Sequence, residues 1–355
     1  MNKLLASMLS SLILSVAPNL KASENNAARL IESVKIATPI DRPAPKYPKS
    51  EAVRGREGWT QLSFVIGTDG APYDVSVINS SGNSRIDNAS IRAVKKWRYE
   101  PATNAKGEAI EQCQTRVQLD FLLNREHTVS KKFRRRMLKT LDNLRQQKVD
   151  LLAEDIKILN QLNSGKMTEN TWVSYVKANY FKLIGDEDKQ YFYLTKTVPH
   201  RFKKNKKHIL PEDSLLVSLH QLFSLQAKRS KYHDALLTFD KLSQFDSELA
   251  IKIQTQLQPY ATQIEQAIKS DKLIVVDGEI HQGRWFHNLS RGQFALNEIN
   301  GQLHKLDIRC ENKRRVYTVN ETTTWRIPAS WGSCQVLIEG DDSANFKLVE
   351  LSGKA

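Results

Sequence analysis

Glu279, His281 and His287 are the residues whose types and spacing come closest to a metal site, because carboxylate and imidazole groups ligate zinc. The two histidines would point to one side of a strand only if that strand ran unbroken between them, and Gly283 interrupts it. The sequence also contains no glycine-rich phosphate loop and no nucleophile motif. We therefore expect no metal, no cofactor and no enzymatic activity.

Trp285, Trp325 and Trp331 offer a second kind of chemistry, because a row of exposed aromatic rings can stack on carbohydrate. Large aromatic side chains in a β-sheet protein more often fill the core. We expect these tryptophans to be core residues, and a glycan-binding face is the alternative.

The chain has three cysteines, Cys113, Cys310 and Cys334. The last two lie in one β-rich segment and are predicted to form a disulfide, which an oxidising compartment permits. Closing a loop of that size stabilises a fold by about 3 kcal/mol in the chain-entropy account. Cys113 is expected to be a buried free thiol, with an intermolecular link as the alternative.

The first residues predict export. A positive charge at Lys3, an apolar run from Leu4 to Ala17 and a small residue at Ala22 are typical of a signal peptide, here residues 1–22. The apolar run is shorter than the ~20 residues that span a bilayer, so a retained membrane anchor is the weaker interpretation. We expect a protein of the periplasm in a Gram-negative-type envelope, without a stable membrane span after cleavage and membrane-associated if the signal segment is retained.

The formal net charge is +14, and the positive charges concentrate in residues 131–136 and 201–208. Such clusters attract polyanions. For an exported protein these are anionic lipid headgroups, lipopolysaccharide phosphates or acidic cell-wall polymers rather than nucleic acid. A basic helix face that serves only solubility is an equally good interpretation.

Composition and periodicity divide the rest of the chain into four parts. Residues 23–40 are polar and then proline-punctuated, which predicts an extended linker. Residues 41–124 alternate between strand and helix patterns, with a helix that begins at Asn83 or Ser84 and ends on Trp97. This order predicts an antiparallel sheet with helices on one face, whose last strand turns Val117, Leu119, Phe121 and Leu123 towards the core.

Residues 127–270 keep helical spacing throughout and predict a stack of α-hairpins. One helix is predicted to run from about Leu138 until Asn163-Ser164-Gly165 stops it, and Tyr232 to Leu242 weakly resembles half of a tetratricopeptide unit. Residues 272–355 consist of short β-type runs separated by turn residues, which predicts a small all-β sandwich or barrel. The expected fold class is therefore multidomain α+β.

One ordered set of motifs identifies a family. The set begins at Tyr47-Pro48 and ends at Trp97-Arg98-Tyr99-Glu100-Pro101; between them lie Gly55, Gly58, Asp69-Gly70, Ser80-Ser81-Gly82, Ala89 and Ala93. In this order and with these gaps it resembles the C-terminal domain of the TonB family. Most of these residues also have a local structural reason, such as the positive φ angles that Asp69-Gly70 supplies to a tight turn.

The resemblance implies binding of outer-membrane receptors, whose extended "TonB box" pairs with the last strand of the sheet by β-augmentation. On this sequence the last strand corresponds to Thr115–Leu123, and Arg116, Gln118 and Asp120 are expected to point outward and select the partner. The implied peptide-binding residues are Lys46, Tyr47 and Pro48 in the Tyr-Pro segment and Thr115, Arg116, Val117, Gln118, Leu119, Asp120 and Phe121 in the strand.

The expected function is that of a TonB-like periplasmic adaptor in envelope transport, which binds an outer-membrane receptor or another periplasmic protein through an extended peptide. The alternative is a protein that binds an envelope polymer, peptidoglycan or lipopolysaccharide, without energy transduction. Energy-transducing relatives have a membrane helix and a long proline-rich spacer, whereas residues 23–40 would span only roughly 55 Å as polyproline II. Binding is therefore expected, and force transmission is not implied.

Overall fold

The computed structural model describes residues 35–123, 129–198, 208–311, 313–319 and 323–352, which belong to one compact unit. The predicted signal peptide, the first part of the linker and the basic run at 201–207 lie outside these ranges.

The first part of the structure, which we call the N-terminal module (residues 35–123), is built around a three-stranded antiparallel sheet. Its elements are β1 (Thr38–Asp41), α1 (Lys49–Val53), β2 (Gly58–Ile66), β3 (Pro72–Ser80), α2 (Ser84–Val94), β4 (Arg98–Glu100), β5 (Ala102–Thr103), β6 (Ala109–Ile110) and β7 (Gln112–Phe121). The sheet has the order β3-β2-β7, while β1 pairs with β4 and β5 with β6. Residues 38–40, predicted as linker, thus belong to a strand of the module.

Local signals account for the longer helix of this module, α2, and for one of its turns. The Asn83 side chain accepts hydrogen bonds from the backbone N–H groups of Arg85 and Ile86, which caps α2 as predicted. The buried stripe of α2 packs on the sheet, and the Trp97 ring meets the Phe64 ring edge to face at 6.0 Å. Gly70 has φ +75°, and a Cβ there would overlap the carbonyl oxygen of Tyr99, so this turn requires glycine.

Two features of the sheet differ from the prediction. Every residue of β2 is buried, so the face opposite α2 is covered as well. The last strand ends at Phe121, and Leu123 is exposed instead of facing the core because the chain leaves the sheet before it.

The helical region (residues 131–269) consists of helices that each pack against the next one in sequence. They are α3 (Lys131–Arg145), α4 (Val149–Leu162), α5 (Met167–Ile184), α6 (Glu187–Thr197), α7 (Glu212–Lys228), α8 (Tyr232–Leu242) and α9 (Glu248–Lys269). The prediction of one helix up to residue 163 was wrong: Gln147 has φ +52° and separates α3 from α4, and this position carries neither glycine nor proline. The tetratricopeptide resemblance of α8 stays a prediction.

None of the helices in the described ranges combines the length and the apolar character that a bilayer crossing requires.

The C-terminal sandwich (residues 274–350) consists of two four-stranded antiparallel sheets around one core. Its elements are β8 (Ile274–Glu279), β9 (Arg284–Asn288), β10 (Gln293–Asn300), β11 (Leu303–Cys310), β12 (Arg314–Tyr317), β13 (Thr324–Arg326), a 3₁₀ turn (Ala329–Trp331), β14 (Cys334–Gly340) and β15 (Asn345–Glu350). The sheets have the orders β13-β10-β15-β8 and β12-β11-β14-β9. The fold is therefore α+β with a β-sandwich, as predicted.

The cysteines and tryptophans of this region follow the structural interpretation. Cys310 and Cys334 face each other on β11 and β14 and form the predicted disulfide. Trp285 and Trp325 lie in the sandwich core, and Trp331 is half-buried and packs against it. In the N-terminal module, Cys113 is a buried free thiol, and burial raises its pKa to about 12.

Candidate functional site

β7 is an outer strand of the three-stranded sheet and pairs with β2 on its inner side. An outer strand presents backbone N–H and C=O groups that a further strand can use. At the start of β7, the backbone N–H of Cys113 donates a 3.3 Å hydrogen bond to the carbonyl of Glu311 in the C-terminal sandwich. From Arg116 to Asp120, no backbone group bonds a described residue outside the sheet. The second half of the strand is therefore the accessible part.

Three of the predicted strand residues hold β7 in place. Val117 and Phe121 are buried, and Leu119 is half-buried. All three side chains pack in the clusters that join the sheet to α2. Their contribution to a peptide site is to fix the strand, because their side chains already have apolar partners.

The opposite face of the strand carries polar side chains. The Gln118 amide donates to Asp120 at 2.7 Å and accepts from Gln61 at 3.2 Å. Asp120 is exposed at the far end of the strand. Thr115 lies opposite Phe64, on the same side of the sheet as Val117, and its hydroxyl accepts a 3.0 Å hydrogen bond from Gln112. Gln118 and Asp120 thus lie at the accessible half of β7, where a neighbouring chain would meet them.

Arg116, predicted to point outward to a partner, instead contacts the C-terminal sandwich. Its guanidinium donates to the side-chain oxygens of Asn288 and Gln335. Gln335 in turn donates to the Ser63 hydroxyl at 3.0 Å, which ties β14 to β2. Burial lowers the pKa of Arg116, while the carboxylate of Asp234 raises it. Arg116 is therefore part of an internal contact.

The Tyr-Pro segment lies beside the end of β7. The Tyr47 ring meets the Phe121 ring edge to face at 5.5 Å, and its hydroxyl donates to the Arg56 carbonyl at 2.7 Å. Burial, followed by the charges of Glu57 and Glu51, raises the pKa of Tyr47 to about 12. Pro48 precedes the first turn of α1, and Lys46 is exposed. The structure thus brings the two predicted parts of the site together.

Behind this segment lies a buried carboxylate. Glu51 of α1 bonds Arg85 at 2.9 Å and Asn83 at 2.6 Å, both at the beginning of α2. The hydrogen bond from Arg85, followed by that from Asn83, lowers the pKa of Glu51 to about 2. This ion pair fixes the position of α1, and with it the Tyr-Pro segment.

Sequence reasoning missed a buried charge network next to β3. Asp307 of β11 accepts two 2.8 Å hydrogen bonds from Arg314 and one of 2.9 Å from Arg309, and Arg314 also pairs with Asp74 of β3. Although burial alone would raise it, the bonds from Arg314 and Arg309 lower the pKa of Asp307. Asp74 and Arg314 are too distant in sequence for a local pattern to have paired them.

A second missed contact joins α6 to the module. The Lys196 ammonium donates to the Ser80 carbonyl at 2.7 Å and to the Asn79 side chain, and it lies 5.7 Å from the Trp59 ring centre. Burial lowers the pKa of Lys196 to about 8, against the opposing effect of Asp87. Lys196 therefore loses its proton at a lower pH than an exposed lysine does.

The possible metal ligands are separated in the structure. His287 is buried and bonds Glu350 at 2.8 Å, whereas Glu279 and His281 form an exposed pair at 3.6 Å. The described residues contain no group of three or more histidine, cysteine, aspartate or glutamate side chains that could hold a metal ion.

Comparison with known proteins places the similarity in the N-terminal module. Residues 43–123 match the family model of the Gram-negative bacterial TonB protein C-terminal domain. Protein tonB2 of Pseudomonas aeruginosa is 36% identical over 85 residues, which are 24% of this chain and 31% of that protein. Protein TonB of Vibrio cholerae is 29% identical over 92 residues, 24% of this chain and 37% of that protein.

Among solved structures, the solution NMR structure of the Pseudomonas aeruginosa TonB CTD matches with 28% identity and a TM-score of 0.23. The match covers 25% of this chain and 89% of that one. The chain thus spans between 31% and 37% of the length of these two curated relatives.

Proposed function

We propose, on the premise that residues 43–123 are a TonB C-terminal domain, that the protein binds an extended peptide of an outer-membrane receptor or another envelope protein along β7. The single observation that carries this proposal is the outer side of β7, which no described residue pairs with from Arg116 to Asp120 and which adjoins Tyr47. Main-chain hydrogen bonds to such an edge supply affinity, and alternate side chains supply specificity.

The bound peptide is short in this proposal. Glu311 takes up the Cys113 N–H at the start of the strand, so a partner pairs with the second half, which ends at Phe121. The exposed Asp120 carboxylate favours a basic residue opposite it, and a cross-strand pair of opposite charge contributes roughly 0.2–1 kcal/mol. The peptide is therefore extended and basic near the end that meets Asp120.

A role in envelope transport and a location in the periplasm belong to the same proposal. The Cys310–Cys334 disulfide supports the location, because disulfides persist in oxidising compartments. The role is one of binding without catalysis. Transmission of force is not part of the proposal, which rests on residues 43–123.

Photo-crosslinking in intact cells tests this proposal. A photoreactive phenylalanine analogue replaces Gln118 in one variant and Asp120 in a second variant of the full chain. The control carries it at Val275, an exposed position of β8, which is an outer strand of the C-terminal sandwich. We expect adducts with an outer-membrane receptor or envelope protein from positions 118 and 120 and not from position 275.

The identity of the adducts decides the outcome. Mass spectrometry should place the crosslink in an extended segment of the partner, and a synthetic peptide of that segment should compete with it. An absence of adducts at both positions, or an equal yield at Val275, would contradict the proposal.

A further inference from the structure

The beginning of α3 presents a dense basic surface, which we call the α3 basic face. Its residues are exposed, and none of them forms an ion pair with a described residue. The face consists of Lys131, Lys132, Arg134, Arg135 and Lys139.

These charges work against the stability of their own helix. The N-terminal end of a helix carries the positive end of the macrodipole, which favours acidic side chains. Every other α-helix of the described residues has an aspartate or glutamate in its first turn, and α3 has none. Helix stability therefore does not account for the basic residues at this end of α3.

The rest of α3 holds this face in a fixed position. Phe133 and Met137 are buried between the helices, and the Ser130 hydroxyl caps the helix by accepting the Phe133 N–H at 3.2 Å. Arg136, the one arginine of the run with an internal role, pairs with the buried Asp155. The remaining cations are thus displayed on a rigid helix.

An aliphatic side chain lies among these cations. Leu138 is 55% exposed, and it follows Arg134 by four positions and Arg135 by three, so the three side chains share one side of the helix. An exposed leucine gains nothing from a hydrated sugar polymer, but it gains from the apolar boundary of a bilayer. The cations around it match the phosphates of anionic lipid headgroups.

We propose that the α3 basic face docks on a membrane that contains anionic phospholipids. The lysines and arginines pair with headgroup phosphates, and Leu138 enters the boundary between headgroups and acyl chains. This site is distinct from β7 and does not depend on the proposed peptide binding. It holds the folded chain at a membrane surface through charge and a single apolar contact.

Vesicle flotation of the purified full chain tests the proposal. We expect binding to vesicles of phosphatidylcholine mixed with phosphatidylglycerol, little binding to phosphatidylcholine alone, and a decrease with rising salt. The double variant Lys131→Glu, Arg135→Glu should bind at least about tenfold more weakly than the wild type. The matched control, Lys252→Glu with Lys269→Glu on exposed positions of α9, should remain within about twofold of the wild type.

A second pair of variants tests the apolar contact. Leu138→Ser should weaken binding about threefold, whereas Ile251→Ser, at an equally exposed position of α9, should leave it unchanged. All these positions are exposed, so thermal unfolding should show intact folding. The proposal is overturned if both double variants bind alike, if phosphatidylcholine alone binds equally well, or if the chain sediments with purified peptidoglycan and not with the vesicles.

Discussion

The two faces of the three-stranded sheet are covered in different ways. The apolar face, formed by Leu62, Phe64 and Ile66, packs against α2 and Trp97 within the N-terminal module. The opposite side, which we call the polar face, carries side chains such as Ser63 and Arg116. It is covered by the C-terminal sandwich and by α6, whose residues are distant in sequence.

The two faces therefore have different roles: one stabilises the fold of the module, and the other fixes its position against the rest of the chain. Apolar burial stabilises in proportion to the area removed from water and depends little on direction. Hydrogen bonds add only about 1 kcal/mol each in net terms, but they require one geometry and leave costly unpaired groups when that geometry is lost. The apolar face therefore makes the module fold, and the polar face determines where the module sits against the rest of the chain.

The largest expected effect is on the apolar face. Phe64→Ala removes a fully buried ring that contacts Trp97 and Tyr99, and it should lower the free energy of unfolding by about 3–5 kcal/mol. Urea unfolding followed by circular dichroism measures this loss. Tyr260→Ala on the exposed side of α9 is the control and should change the stability by less than about 0.5 kcal/mol. Equal losses in the two variants would contradict the comparison.

Arg116→Met tests the polar face. The methionine fills much of the same space but leaves the acceptors of Asn288 and Gln335 without their donor, which should cost about 1–3 kcal/mol. Hydrogen exchange should show faster exchange in β7 and β14 together, because they lose a shared contact. The control is Arg92→Met at an exposed position of α2, expected within about 0.5 kcal/mol of wild type. If both arginine variants behave alike, the contact does not hold the two regions together.

The sequence could predict the apolar face because its signals are local. The spacing of Leu62, Phe64 and Ile66, the cap at Asn83 and the large ring of Trp97 each depend on neighbours a few positions away. The Cys310–Cys334 disulfide spans 24 residues, and it could be predicted because both cysteines lie in one β-rich segment. The outer position of β7 followed from the family resemblance, and the peptide that we place on it remains a proposal.

The polar face could not be predicted in the same way. Arg116 meets Gln335 through a fold that no periodicity describes, so the sequence predicts a contact with a partner for it instead of one with the C-terminal sandwich. The break between α3 and α4 was missed for a different reason: Gln147 adopts a positive φ that is usually marked by glycine. The basic residues of α3 were visible in the sequence, but the exposure of Leu138 beside them was not.

A third test concerns Glu51, whose polar contacts lie inside the N-terminal module and not on the polar face. The pKa of Glu51 is lowered to about 2 in the folded chain, and an unfolded glutamate titrates near 4.3. The folded state thus favours the charged form, so its contribution is complete above about pH 4.5 and is lost as the pH falls towards 2. Glu51→Gln should lower the stability at pH 7 and flatten the acid part of the stability curve. Urea unfolding between pH 2 and 7 measures both, and identical slopes in the two proteins would contradict the assignment.

The smallest effect is expected at Lys196, where α6 meets the polar face. Burial lowers the pKa of this lysine to about 8, while an unfolded lysine titrates near 10.4. Between these values Lys196 holds its proton more often in the unfolded chain than in the folded one, so this lysine contributes stability that rises as the pH increases from 8. Lys196→Met has no such group, and its stability should rise less between pH 8 and 9.5, a range below the titration of most tyrosines. Because the lysine is only partly buried, solvent reduces the size of this effect.

Lys252→Met at an exposed position of α9 is the control and should keep the wild-type slope. A slope that follows wild type in both variants would mean that the ammonium of Lys196 stays in water, and that α6 does not cover the polar face in solution.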